Sequence, residues 1–270
     1  MKRLAVAIVL LSRILTSQGQ AISKHEADSL LASLNRANTD TARMTILFRL
    51  AQYQIFKPGE FKADLDSAET YLKKAAALNT AIGSVDADGF RMLIAADLAK
   101  ERGEKDSAKA MTQKAIRMLK TGTNKIHLAR AYRELANYYN YQDLGQRAGI
   151  VGYLDSASRL YEQAGHIEEQ ANCLEYLVDI YLSARDSSTS KAFPTLNRCL
   201  QAFNSIHYTR LTRVYLSYGK IYDFWGNYKV ALNYKLKALQ SDDVAEAVLY
   251  VAKLPPRATV PEMQLLPTVL

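Results

Sequence analysis

Turn-forming residues are scarce in this chain, with 12 glycines and 6 prolines among 270 residues. That excludes a fold built from many short strands, which needs a turn signal about every ten positions. Cysteine occurs only twice, as Cys173 and Cys199, too few for a disulfide framework. Both fall at apolar-compatible positions of helical runs, where a thiol behaves as a small hydrophobe. Their spacing leaves a disulfide between paired helices open. Long apolar runs are missing as well. The run Leu4–Leu11 is eight residues long, against the roughly 20 that a membrane-spanning helix needs.

The motifs of common chemistries are absent too. There is no Gly-x-Ser-x-Gly elbow, no glycine-rich phosphate loop, no Cys-x-x-Cys and no His-x-x-x-His. The four histidines, His25, His127, His166 and His207, stand alone near helix starts. They read as surface or interface residues rather than as ligands or bases. The expectation is therefore no catalytic residue, no metal, no cofactor and no enzymatic activity. The basic residues are scattered among acids, and no clustered basic stripe suited to nucleic acid is present.

What the chain does have begins with an export pattern. Lys2 and Arg3 precede the Leu4–Leu11 run, and Gly19-Gln20-Ala21 offers a small-x-small cleavage site. Residues 1–21 read as a signal peptide, although Arg13 sits unusually close behind the apolar run; the alternative is an uncleaved first helix with a basic face. Cleavage would lower the formal charge from +8 to +5 by removing Lys2, Arg3 and Arg13. The protein is expected to be periplasmic or extracellular, with no integral membrane segment after cleavage.

The second feature is a repeat. Asp-Ser-Ala occurs at 66–68, 106–108 and 155–157, with weaker copies centred on Ala192 and Ala231. Another small residue follows seven positions later: Ala75, Ala115, Ala164, Cys199 and Ala238. Two small residues seven apart share a helix face and let a neighbouring helix approach closely. Asp and Ser in the tripeptide read as helix N-terminal capping residues. Ahead of each such helix lies a partner run: Arg49–Tyr53, Met92–Ala99, Ala131–Tyr139, Cys173–Tyr181 and Val214–Tyr222. These carry a large residue, a large-small pair such as Tyr218-Gly219, and usually an aromatic three residues on. The pattern predicts antiparallel helix pairs over residues 22–240, about five of them, preceded by a helix around Lys24–Arg36. Each pair buries its small residues against its partner and its neighbours.

These residues resemble the tetratricopeptide (TPR) pattern, best matched by Tyr215–Leu239 with Gly226 at the turn between the helices. The resemblance implies an all-α fold, a TPR-like right-handed superhelical solenoid. The units are longer than the standard repeat of roughly 34 residues. "KPGEFKADLD" and "NYQDLGQRAGIVGYLD" are expected to form extended turns. In unit length the chain is similar to the extracytoplasmic sensor regions of two-component kinases, without their transmembrane helix, phosphoacceptor histidine or ATP-binding domain.

The resemblance implies a partner-binding groove lined by first helices. Its candidate residues are Arg130, Arg133, Asn137, Asn140, Tyr141, Glu175, Asp179, Arg213 and Lys220, with Phe48, Gln52, Asp97, Lys100 and Asp223 beside them. Arg133, Asn137 and Arg213 partly resemble TPR modules that hold a C-terminal carboxylate, but Tyr176 and Ser217 replace an Asn and a base of that pattern. The implied function is an exported scaffold or sensor module that binds a protein or peptide, with a role in signal transduction.

From Ser241 the composition changes. Residues 242–253 pattern as a short helix with Val244, Val248 and Val251 on one side; Pro255-Pro256 ends it and an extended segment follows. Residues 241–270 resemble the end of a short-chain dehydrogenase, which raises a fused or fragmentary NADP-linked oxidoreductase as the alternative. That family's dinucleotide turn and Tyr-x-x-x-Lys pair are missing. By composition the tail is expected to add nothing to stability.

Overall fold

The computed structural model describes residues 22–59, 61–184, 187–209 and 211–239. The expected signal peptide and the expected C-terminal tail lie outside the described residues. Among those described there are eleven α-helices and no strand. We number them α1 (Lys24–Leu34), α2 (Asp40–Phe56), α3 (Lys62–Ile82), α4 (Val85–Glu101), α5 (Lys105–Leu119), α6 (Lys125–Ala136), α7 (Leu144–Gln163), α8 (Ile167–Ala184), α9 (Ala192–Ser205), α10 (Thr212–Phe224) and α11 (Tyr228–Leu239). The chain divides into two compact units, one ending at Cys173 and one beginning at Leu174.

In the first unit, α2 pairs with α3, α4 with α5 and α6 with α7, while α1 packs on α2. The first helices also touch each other, α2 with α4 and α4 with α6. In the second unit α10 pairs with α11, and α9 packs on α10. The fold is all-α, with helices packed in consecutive pairs.

The recurring small residues explain the pairing. Ala68, Ala75, Ala108, Ala115, Ala157, Ala192, Cys199, Ala231 and Ala238 are all buried. Ala164 is half-buried, because α7 ends there and Ala164 is its C-terminal cap. The first helices contribute Leu50-Ala51, Leu135-Ala136 and Tyr218-Gly219, also buried. At Gly89 on α4 a Cβ would stand 2.6 Å from Leu119 Cγ on α5, so only glycine lets these two helices come this close. Gly226 turns the chain between α10 and α11 with φ +74°, a conformation that favours glycine.

The capping role expected of Asp-Ser-Ala is corrected at two of its three sites. The segments expected to be long turns are partly helix, so α3 begins at Lys62 and α7 at Leu144. Asp66-Ser67 and Asp155-Ser156 are therefore interior. Ser67 and Ser156 donate to the carbonyls of Ala63 and Gly152, each at 2.8 Å. Only Asp106 lies in a first turn, that of α5. The side-chain caps are elsewhere: Ser23, Thr39, Ser84, Asn124 and Asp143 accept from backbone N–H groups at the starts of α1, α2, α4, α6 and α7.

Candidate functional site

Because α2, α4 and α6 lie side by side, their residues form a continuous row. Phe48 meets Phe90 edge-on at 5.4 Å, and Phe90 stacks on His127 at 3.9 Å with the planes 5° apart. The Arg130 guanidinium lies 5.7 Å from the Phe90 ring centroid. Arg130 also donates to Asp97 Oδ2 at 2.6 Å, and both side chains are buried. Burial pushes the Asp97 carboxyl up to about 6, against the pull of Arg130. Burial likewise pushes His127 down to about 4, helped by the charge of Arg130. His127 Nδ1 has no hydrogen-bond partner, which fits a neutral ring held by stacking.

Three groove candidates are thus internal. Arg130 and Asp97 join α6 to α4, and Phe48 is core. Both arginines of the partial carboxylate pattern, Arg133 and Arg213, already have acidic partners. In the second unit Arg213, exposed on α10, donates to Asp179 at 3.1 Å and lies 3.2 Å from Glu175, both on α8. Burial raises the Glu175 carboxyl and Arg213 opposes it. One arginine between two carboxylates leaves an acidic patch, which would repel a ligand carboxylate.

The remaining candidates divide by location. Arg133 is half-buried and Asn137 exposed, one and two turns beyond Arg130, and both reach Glu134 at 3.4 Å. Lys100 is exposed one turn beyond Asp97, and Gln52 is half-buried on α2. Asn140 and Tyr141 are not on a first helix, because α6 ends at Ala136. The Asn140 N–H donates to Gln146 Oε1 at 3.0 Å, and its side chain accepts from the Gln142 N–H. These residues shape the turn into α7. Lys220 is exposed on α10, and Asp223 pairs with Lys235 at 2.5 Å.

One organising residue escapes the sequence pattern. Asp86, in the first turn of α4, accepts from the backbone N–H groups of Thr123 and Asn124 and from the Thr123 hydroxyl, at 2.9–3.1 Å. Burial raises its pKa, but these donors outweigh it and hold the carboxyl below its ordinary value. A Cβ at Gly122 would fall 1.9 Å from Asp86 Oδ1. The only sequence signal was the polar "TGTN" ahead of α6.

Cys173 and Cys199 are buried and reduced, and burial pushes both thiols up to about 12, far from thiolate reactivity at neutral pH. Among the described residues no cluster of three metal-ligating side chains occurs, and no helix is long and apolar enough to cross a membrane.

No protein-family model matches the chain, and no curated protein matches it in sequence. In fold it is similar to the crystal structure of BtubC (BKLC) from P. vanneervenii. The TM-score is 0.64 and the sequence identity 15%, over 91% of this chain and 98% of that one. At that identity the likeness is one of fold alone.

Proposed function

We propose that this chain is a non-catalytic TPR-type scaffold that holds a segment of another protein on its first-helix face. The observation that carries this reading is the unbroken row of first helices in the first unit. There, Lys100, Arg133 and Asn137 stand one or two turns beyond the buried Asp97–Arg130 pair. A rigid, internally neutralised base with polar groups along its margin suits a peptide held by a few anchors, extended or helical. The bound segment is a protein or peptide rather than nucleic acid. The N-terminal export pattern adds a periplasmic or extracellular setting, and the unit length adds a sensor-type role in signalling.

Selection of peptides from a displayed library against the purified chain tests the proposal. Enriched peptides should bind the unmodified protein and lose at least about tenfold in affinity, roughly 1.4 kcal/mol, with Arg133→Glu or Asn137→Ala. The thermal midpoint, followed in parallel, separates lost binding from lost folding. A library that yields no binder, or binders indifferent to both substitutions, would instead favour a structural spacer.

A further inference from the structure

The second unit carries a basic surface tipped with aromatic rings. Residues 192–239 hold seven lysines and arginines against a single acid, Asp223. These cations are unevenly committed. Arg213 lies between Glu175 and Asp179, and Lys235 pairs with Asp223. Lys220, Lys229 and Lys237 are exposed and form no ion pair among the described residues.

Large apolar side chains are exposed beside them. Phe224, Trp225 and Tyr228 bracket the Gly226 turn between α10 and α11 and are 65%, 52% and 71% exposed. The tip is held from its inner side. Trp225 meets Phe193 at 5.1 Å and Tyr222 edge-on at 5.4 Å, and Tyr222 stacks on Tyr234 at 5.5 Å. The indole is therefore fixed by neighbouring rings while about half of it faces solvent. On α11, Tyr228, Leu232 and Leu236 are spaced four apart and share one side of the helix, all exposed. Lys229 and Lys237 each follow a member of that stripe, so they run along its margin about 100° round the helix. On α10, Leu216 and Phe224 are also exposed, and Lys220 stands midway between them on the same side.

Charge alone admits three partners, and the apolar component chooses among them. Nucleic acid takes cations and stacked rings but leaves Leu232 and Leu236 without a use. An acidic peptide satisfies the lysines but sets its own charges beside exposed leucine and phenylalanine. An anionic bilayer matches both parts. Tryptophan and tyrosine settle at headgroup level, aliphatic and phenyl side chains enter the acyl boundary, and lysines reach the phosphates on their flexible stems. We propose that the α10–α11 corner docks on an anionic lipid surface, with Phe224, Trp225 and Tyr228 inserted among the headgroups and Lys220, Lys229 and Lys237 against lipid phosphates. The attachment is peripheral, since no helix among the described residues is long and apolar enough to cross a membrane.

Trp225 is the only tryptophan of the chain, so its fluorescence reports this corner alone. With the full chain, vesicles of phosphatidylcholine and phosphatidylglycerol should shift its emission to the blue, and brominated acyl chains should quench it. Vesicles of phosphatidylcholine alone should do neither at the same lipid concentration. Each of Lys220→Gln, Lys229→Gln and Lys237→Gln should weaken partitioning onto the anionic vesicles about fivefold. Phe224→Ser/Tyr228→Ser should weaken it at least about tenfold. Thermal midpoints and lipid-free Trp225 emission, unchanged in these variants, keep folding out of the comparison. Absence of attachment at low salt would overturn the proposal. Attachment that leaves Trp225 unquenched would also overturn it, by placing the contact elsewhere in the chain. A blue shift produced by polyglutamate or duplex DNA, and not by the anionic vesicles, would overturn it too and give the surface to an acidic protein segment or to nucleic acid.

Discussion

At the scale of single residues, the charged groups most open to a binding interpretation turn out to be fasteners. Arg130 and Asp97 are buried together, so removing one partner leaves the other charge uncompensated. Arg130→Ala should cost about 3–5 kcal/mol of stability, and Asp97→Leu/Arg130→Met should recover most of it; denaturant unfolding of both variants checks this. The same neighbourhood makes a pH prediction. The folded-state value of Asp97, about 6, lies above its unfolded value of about 3.9. Its contribution is complete below pH 4 and is lost as pH rises to 6. The His127 value, about 4, lies below its unfolded value of about 6.5. Its contribution is present above pH 6.5 and is lost as pH falls to 4. From pH 4 to 6 the two slopes oppose, so His127→Gln should unmask a loss of stability with rising pH that the unmodified chain shows only weakly. Equal slopes in urea midpoints at pH 4.5 and 6 for both proteins would refute the pairing. Sequence spacing placed Arg130, Asp97, Glu175 and Arg213 on first helices. It did not show that each arginine meets an acid on the preceding first helix, because that contact depends on how far one pair rotates against the next.

At the scale of elements, the small residues seven apart were legible because close packing tolerates little else at Ala68, Ala75, Ala108 and Ala115, all fully buried. Helix starts were less legible. Asp and Ser serve as caps or as interior residues bonded to a carbonyl one turn back, and the tripeptide alone does not choose. Near α3 the choice is made by Asp64, whose carboxylate accepts from the Phe61 N–H at 2.8 Å and binds Lys57 at 2.6 Å. Ser67→Ala and Ser156→Ala should accordingly be neutral or stabilising by a few tenths of a kcal/mol. Asn124→Ala and Asp143→Ala, at true caps, should cost about 1 kcal/mol. Thermal melts of the four variants distinguish the two classes. Glycine substitutions should divide in a similar way. Gly89→Ala drives a methyl into Leu119, which is buried and has no room to yield, and should cost about 1–3 kcal/mol despite the gain in helix propensity. Gly219→Ala sets its methyl 2.9 Å from Lys235 Cγ and 3.4 Å from the Ala231 carbonyl oxygen; the lysine is partly exposed and yields more readily than Leu119, so the cost should be smaller than that of Gly89→Ala, about 1 kcal/mol.

At the scale of the whole molecule, stability built from neighbour-to-neighbour contacts should be local. Leu196→Ala, which empties a fully buried site in α9, should lower hydrogen-exchange protection in α9, α10 and α11 while leaving α2 and α3 as they were. Uniform loss along the chain would show that the two compact units unfold as one. The charged fasteners carry a last consequence. Asp97–Arg130, Asp66–Arg102 and Asp179–Arg213 join residues 33, 36 and 34 apart, so each bond straddles two repeats and belongs to neither. A genetic deletion that removed one helix pair cleanly at its connectors would strand a charged half at the new junction. Viable shortened or lengthened descendants of this gene should therefore carry breakpoints inside first helices, or compensating charge changes at the seam.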